Sequence, residues 1–93
     1  MFKITRVTVS RVAQKQINKL PKYIHEALIY WIDSVEQIGL REVRKISAYH
    51  DEPLKGKRQN QRSIRLNKAF RAIYIETVVG LEIQIIEVNK HDY

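Results

Sequence analysis

The sequence predicts an α+β domain of two layers, ordered β-α-α-β-β-β, in which a helical hairpin packs on a mostly antiparallel four-stranded sheet. Three observations carry this expectation. An alternating, β-branched run opens the chain; two segments with apolar residues at helical spacing follow; then come three more alternating runs separated by short polar turns. With 93 residues there is core enough for one unit, so residues 1–93 are expected to form a single domain.

Residues 2–9 alternate Phe2, Ile4 and Arg6 against Lys3, Thr5 and Val7, which predicts a strand. Ser10 is placed to cap a helix in which Val12, Ala13, Ile17 and Leu20 share a face while Arg11, Lys15 and Lys19 point outward. Pro21 ends that helix and suits the first turn of the next. Tyr23, Ile24, Ala27, Leu28, Trp31, Ile32, Val35 and Ile38 then hold the 3.6-residue period for four turns, an apolar stripe expected to be core, aromatic residues included. Gly39 closes it, and residues 40–45 add a short further turn or two. Residues 47–60 contain Pro53 and Gly56 and have no apolar period, which predicts an exposed, mobile loop. Strands are expected at 61–67, 70–77 and 81–89, joined by Asn-Lys-Ala and Val-Val-Gly turns, with LEIQIIEV the central one.

Charge narrows the function. Seventeen Lys and Arg against ten Asp and Glu give a net charge of +7, a field that favours polyanions, nucleic acid first among them. The excess is concentrated: Lys55, Lys57, Arg58, Arg62, Arg65, Lys68 and Arg71 fall between Pro53 and Ile75 with no acidic residue among them. The absence of cysteine excludes disulfides, thiolate nucleophiles and the common zinc frameworks. No apolar stretch approaches the roughly 20 residues that cross a bilayer, and MFKITRVTV alternates where a signal peptide would run apolar, so no membrane association and a cytoplasmic location are expected.

Cutting RNA without a metal needs a base near the 2′-hydroxyl, cations around the phosphate and an acid for the leaving 5′-oxygen. Arg65 and Arg71 lie on neighbouring predicted strands across a short turn, so their guanidinium groups can converge on one phosphate, although a single strand arginine is ordinarily just solvated. Lys55, Lys57 and Arg58 on the loop suit an RNA backbone as well as they suit solubility, and Arg62 and Lys68 extend the same stretch. Glu52 is a carboxylate at its edge, placed to accept a proton. His91 follows the last strand, and an imidazole titrates near neutral pH. Tyr74 and Tyr93 offer stacking surfaces; Tyr74, in a strand, is expected to be core and Tyr93 free. His25 and His50 have no evident role, and they lack the spacing or carboxylate partners of a metal site. No metal or cofactor is implied.

Taken together, HDEPLKGKRQNQRSIRLNKAFRAIY and the terminal EVNKHDY resemble the signature of the RelE/ParE superfamily of toxins from type II toxin–antitoxin systems. The resemblance spans nearly the whole chain and is closest to the RelE/YoeB/HigB-like ribonucleases. It implies the β-α-α-β-β-β fold, an endoribonuclease (mRNA interferase) acting on messenger RNA in the ribosomal A site, and neutralisation by a cognate antitoxin that wraps the catalytic face. Glu52 in EPL matches the general base of the YoeB-like branch and Lys55 a nearby basic residue. Arg65 in SIRLN and Arg71 in FRAIY match the phosphate-binding arginines. Lys57 and Arg58 fall on the RNA-contacting loop. His91 matches the C-terminal general acid, and Tyr93 the aromatic residue near it, displaced here by Asp92. The alternative on the same fold is a ParE-like inhibitor of DNA gyrase without nuclease chemistry. No self-complementary seam argues for a homodimer, so the free chain is expected to be a monomer that joins its antitoxin in a hetero-oligomer.

Overall fold

The computed structural model describes residues 4–77 and 82–90. Strand β1 (Arg6–Val9) leads into α1 (Arg11–Ile17), α2 (Lys22–Ile38) and α3 (Leu40–Arg44); β2 (Glu52–Pro53), β3 (Gln61–Arg65), β4 (Phe70–Glu76) and β5 (Glu82–Lys90) follow. The strands form one sheet in the order β1-β5-β4-β3-β2, with β1 parallel to β5 and the other pairs antiparallel. The two-layer α+β expectation and the central place of β5 hold. Phe2, Lys3, the Val-Val-Gly turn, Leu81, His91 and Tyr93 lie outside the described residues.

Ser10 starts α1 as expected, its Oγ accepting the Ala13 N–H at 3.1 Å. Ala13 and Ile17 then face the sheet. On α2 the buried residues are Ile24, Leu28, Trp31 and Val35, one residue per turn. Tyr23 (64% exposed), Ile38 (44%) and Val12 of α1 (60%) face solvent, which corrects the expectation of a wholly buried stripe. The reason is geometric: the helices form one layer on one sheet face, and only about a third of each circumference meets it. Gly39 adopts φ 89° and ψ 151°, a region only glycine occupies at ease, and its turn sends Leu40 and Val43 of α3 into the core. The Leu40 N–H donates to the Ile4 carbonyl at 2.8 Å, tying this corner to the start of the sheet.

The sheet has five strands among the described residues rather than four. Within the predicted loop, short 3₁₀ turns at Ser47–Tyr49 and Gly56–Arg58 flank β2, which pairs Glu52 with Ser63 and Pro53 with Arg62. Two residues carry no periodic signal, and an edge strand tolerates proline because its outward N–H needs no partner. Trp31 of α2 and Tyr74 of β4 meet at the core, ring centroids 5.4 Å apart.

Candidate active site on the open sheet face

Residues opposite one another in an antiparallel ladder point to the same face. The register pairs Glu52 with Ser63, Ser63 with Ile73, Arg65 with Arg71, Arg71 with Asn89, and Ile73 with Glu87. All these side chains therefore rise from the face away from the helices. A short Asx turn brings the two arginines together: the Asn67 Oδ1 accepts the N–H groups of Ala69 and Phe70 at 2.7 and 2.8 Å, closing the β3–β4 connection.

Arg71 is anchored from beneath the face. Its Nη1 donates to the Ser63 Oγ at 3.0 Å and lies 3.5 Å from the Glu52 Oε1. Ser63 is 1% exposed, so this contact is fixed from below, while the Arg71 side chain keeps 17% of its surface open. The second oxygen of Glu52 lies 3.4 Å from the His50 Nε2. Arg58 folds inward from the Gly56–Arg58 turn: its Nε donates to the Gln61 Oε1 at 2.6 Å, and its Nη2 to Glu87, which also accepts from the Asn89 amide. Between these groups lies an open cavity of about 350 Å³, bordered by Glu52, Lys55, Arg58, Arg71, Glu87 and Asn89.

A larger hollow of about 540 Å³ lies beyond the Pro53 side of β2, lined among others by Arg44, Arg62 and Glu76. Its arginines are already committed: Arg44 donates to Glu76 at 2.9 Å, and Arg62 donates through Nε to Asp51 at 2.6 Å. The arginines of the smaller cavity are paired as well, but Lys55 adds a third cation to its border, which makes it the better seat for an anion. Beneath Arg44 and Arg62 the Tyr74 hydroxyl donates to Asp51 at 2.6 Å and accepts from the Arg44 Nε at 3.1 Å. Burial, and then the hydrogen bond to Asp51, raises the Tyr74 pKa well above the usual phenol value. Among the described residues no three His, Asp or Glu side chains gather to hold a metal ion, and no helix is long and apolar enough to cross a membrane.

No protein-family model matches the chain, and no curated protein sequence matches it. Solved structures do. YafQ from E. coli superposes with a TM-score of 0.74 at 16% identity, covering 91% of each chain. The YoeB/ParE toxin from Agrobacterium tumefaciens gives 0.72 at 16% identity, over 94% of this chain and 99% of that one. RelE of the archaeal RelE–RelB complex from Pyrococcus horikoshii gives 0.71 at 20% identity, over 94% of each. The chain has the RelE-like toxin fold.

Within this RelE-like fold the residues singled out from sequence fall into three places. Glu52, Lys55, Arg58 and Arg71 border the cavity, with Arg65 directly opposite Arg71 and exposed. Lys57 and Lys68 stand in solvent on the loop and the β3–β4 turn. Arg62 departs from that set: one residue out of phase with Ser63, it turns to the helix side and Asp51. His91 and Tyr93 follow Lys90, whose ladder partner is Phe70, next to Arg71. Sequence reasoning missed Glu87, Asp51 and the contact of His50 with Glu52. Tyr74 is fully buried, as expected of a strand aromatic.

Proposed function

We propose that this chain is the toxin of a type II toxin–antitoxin pair, a metal-independent endoribonuclease that cleaves messenger RNA on the ribosome in the cytoplasm until an antitoxin covers its open sheet face. The observation that carries this reading is Arg71, held by Ser63 and Glu52 and set directly opposite Arg65. Two guanidinium groups on adjacent strands can donate to the oxygens of one phosphate, and they stabilise the charge that builds there as the bond breaks. Lys55 and Arg58 border the cavity beside that point, and Lys57 and Lys68, exposed on the loop and the β3–β4 turn, extend the cationic track along an RNA backbone. His91, two residues beyond Asn89 in sequence, is the proposed acid for the leaving 5′-oxygen, and Tyr93 the proposed stacking residue; both assignments rest on the resemblance. An antitoxin partner is supported by the RelE–RelB complex among the structures of this fold. A basic open face suits an acidic segment of such a partner.

Primer extension on a reporter messenger RNA after brief induction tests the proposal. Wild type should produce new 5′ ends within codons, and Arg71→Ala should lower cleavage about a hundredfold or more, the scale of one lost transition-state contact, without unfolding. Growth arrest without cuts, accompanied by DNA breaks or gyrase inhibition, would replace the nuclease with a ParE-like poison.

A further inference from the structure

His50 is the one non-glycine residue with positive φ among the described residues, at φ 48° and ψ 49°. L-residues avoid that region, with asparagine, aspartate and histidine its main exceptions, and such backbone clusters at functional sites. Here the left-handed residue closes the Ser47–Tyr49 turn, its N–H donating to the Ser47 carbonyl at 3.0 Å, and passes the chain into β2. Asp51 goes one way, to Arg62 and Tyr74. Glu52 goes the other, to the open face, where His50 meets it.

The carboxylate of Glu52 has both oxygens engaged: Oε1 lies 3.5 Å from the Arg71 Nη1, and Oε2 lies 3.4 Å from the His50 Nε2. A carboxylate facing one ring nitrogen holds the proton there and leaves the other nitrogen with a lone pair. The imidazole is 60% exposed, so substrate can reach the ring. The other oxygen of Glu52 faces Arg71 on β4, and Arg71 is paired across the ladder with Arg65 on β3. The charged group that meets the ring is thus Glu52, which links it to Arg71 and through the ladder to Arg65, the two arginines assigned to the phosphate.

We infer that His50 is the base for cleavage and that Glu52 is its positioning residue, on the reading of the chain as a ribonuclease. The His50 Nδ1 takes the proton of the attacking 2′-hydroxyl. The 2′-oxygen forms its bond to phosphorus, and the bond to the 5′-oxygen breaks. The departing 5′-oxygen takes a proton from the acid of the site or from water, leaving a 2′,3′-cyclic phosphate and a 5′-hydroxyl. The imidazolium then returns its proton to solvent.

The test compares wild type, His50→Asn and Glu52→Gln on ribosomes carrying a defined messenger RNA, measuring single-turnover cleavage and binding separately. Asparagine keeps the left-handed backbone, so His50→Asn should fold and bind normally. Its cleavage should fall by about a hundredfold, the ordinary scale for losing a general base. Nitrogen NMR of labelled His50 should show the Nε2–H tautomer in wild type and a mixture in Glu52→Gln, a readout independent of cleavage. If His50→Asn cuts within threefold of wild type, His50 is not the base and the role returns to Glu52. If wild type cuts no RNA, the nuclease reading itself fails and takes the base role with it, whatever the tautomer.

Discussion

Replacing Tyr74 by phenylalanine removes one oxygen atom from the middle of a buried polar chain. In the folded protein that oxygen donates to Asp51 at 2.6 Å and accepts from Arg44 at 3.1 Å, and Asp51 holds Arg62 at 2.6 Å on its other oxygen. Each lost bond involves a charged partner and is worth about 1.5–3 kcal/mol when intact. The Arg44 side chain is 30% exposed and can recover water, so its loss is discounted towards zero. The Asp51 side chain is 1% exposed and cannot, so its loss remains. Tyr74→Phe should therefore cost about 2 kcal/mol, which lowers the melting temperature by roughly 8–16 °C in a domain of this size. Thermal melts of Tyr74→Phe, Asp51→Asn and the double variant should show coupling of about 1 kcal/mol, because the two residues share a bond. A loss under about 0.5 kcal/mol, or strictly additive effects, would refute the account. The raised phenol pKa has a pH consequence of definite sign. Its stabilising share is intact below about pH 10, where the unfolded phenol titrates, and is lost as pH climbs towards the higher folded value. Wild type should thus weaken above that pH more steeply than Tyr74→Phe.

Two further outcomes follow from single residues. Gly39→Ala should destabilise by about 1–3 kcal/mol, since φ 89° with ψ 151° admits almost nothing but glycine, and chemical denaturation checks it; a midpoint equal to wild type would mean the α2–α3 corner relaxes freely. Glu87→Gln removes a negative charge beside the proposed phosphate seat and releases Arg58, so RNA binding should tighten about fivefold, the worth of roughly 1 kcal/mol at 4 Å in water; weaker binding by filter assay would instead make Glu87 a holder of Arg58 in its working position.

What could be read from the chain follows from what periodicity can and cannot encode. Helix α2 was legible because four turns of apolar residues leave little ambiguity, but period alone does not say how wide a face is covered, so Tyr23 and Ile38 were expected inside and stand in solvent. Strand β2 was invisible because two residues have no period. Arg65 and Arg71 were legible as neighbours because a short turn with Asn67 fixes their register. The same alternation carried the news that Arg62, at an even position, leaves that face, and its basic neighbourhood concealed it. His50 gave no sequence signal, since a left-handed backbone at a histidine leaves no pattern.

Glu87 was hidden for a different reason, and the reason is itself testable. By strict alternation it shares a face with Ile83 and Ile85, which are buried. A shift in the β4–β5 register, from Ile73 opposite Glu87 to Tyr74 opposite Ile85, leaves Ile86 as an extra residue and reverses the phase. Val88 can then be core while Glu87 and Asn89 reach the open face. Such a bulge interrupts the ladder, and α1 attends to the interrupted groups: the Gln16 Oε1 accepts the Val88 N–H at 2.7 Å, and the Ser10 Oγ donates to the Ile86 carbonyl at 3.3 Å. Val88 is 2% exposed, so water cannot replace Gln16. Gln16→Leu should therefore leave a buried N–H unpaired, cost about 1–3 kcal/mol, and speed amide exchange at Val88 above its neighbours. Because Glu87 and Asn89 flank that amide, the same change should loosen Arg58 and weaken RNA binding, with little effect on Arg71. Unchanged exchange at Val88 would mean that the bulge keeps its geometry without help from α1, and that this half of the site is set by the sheet alone.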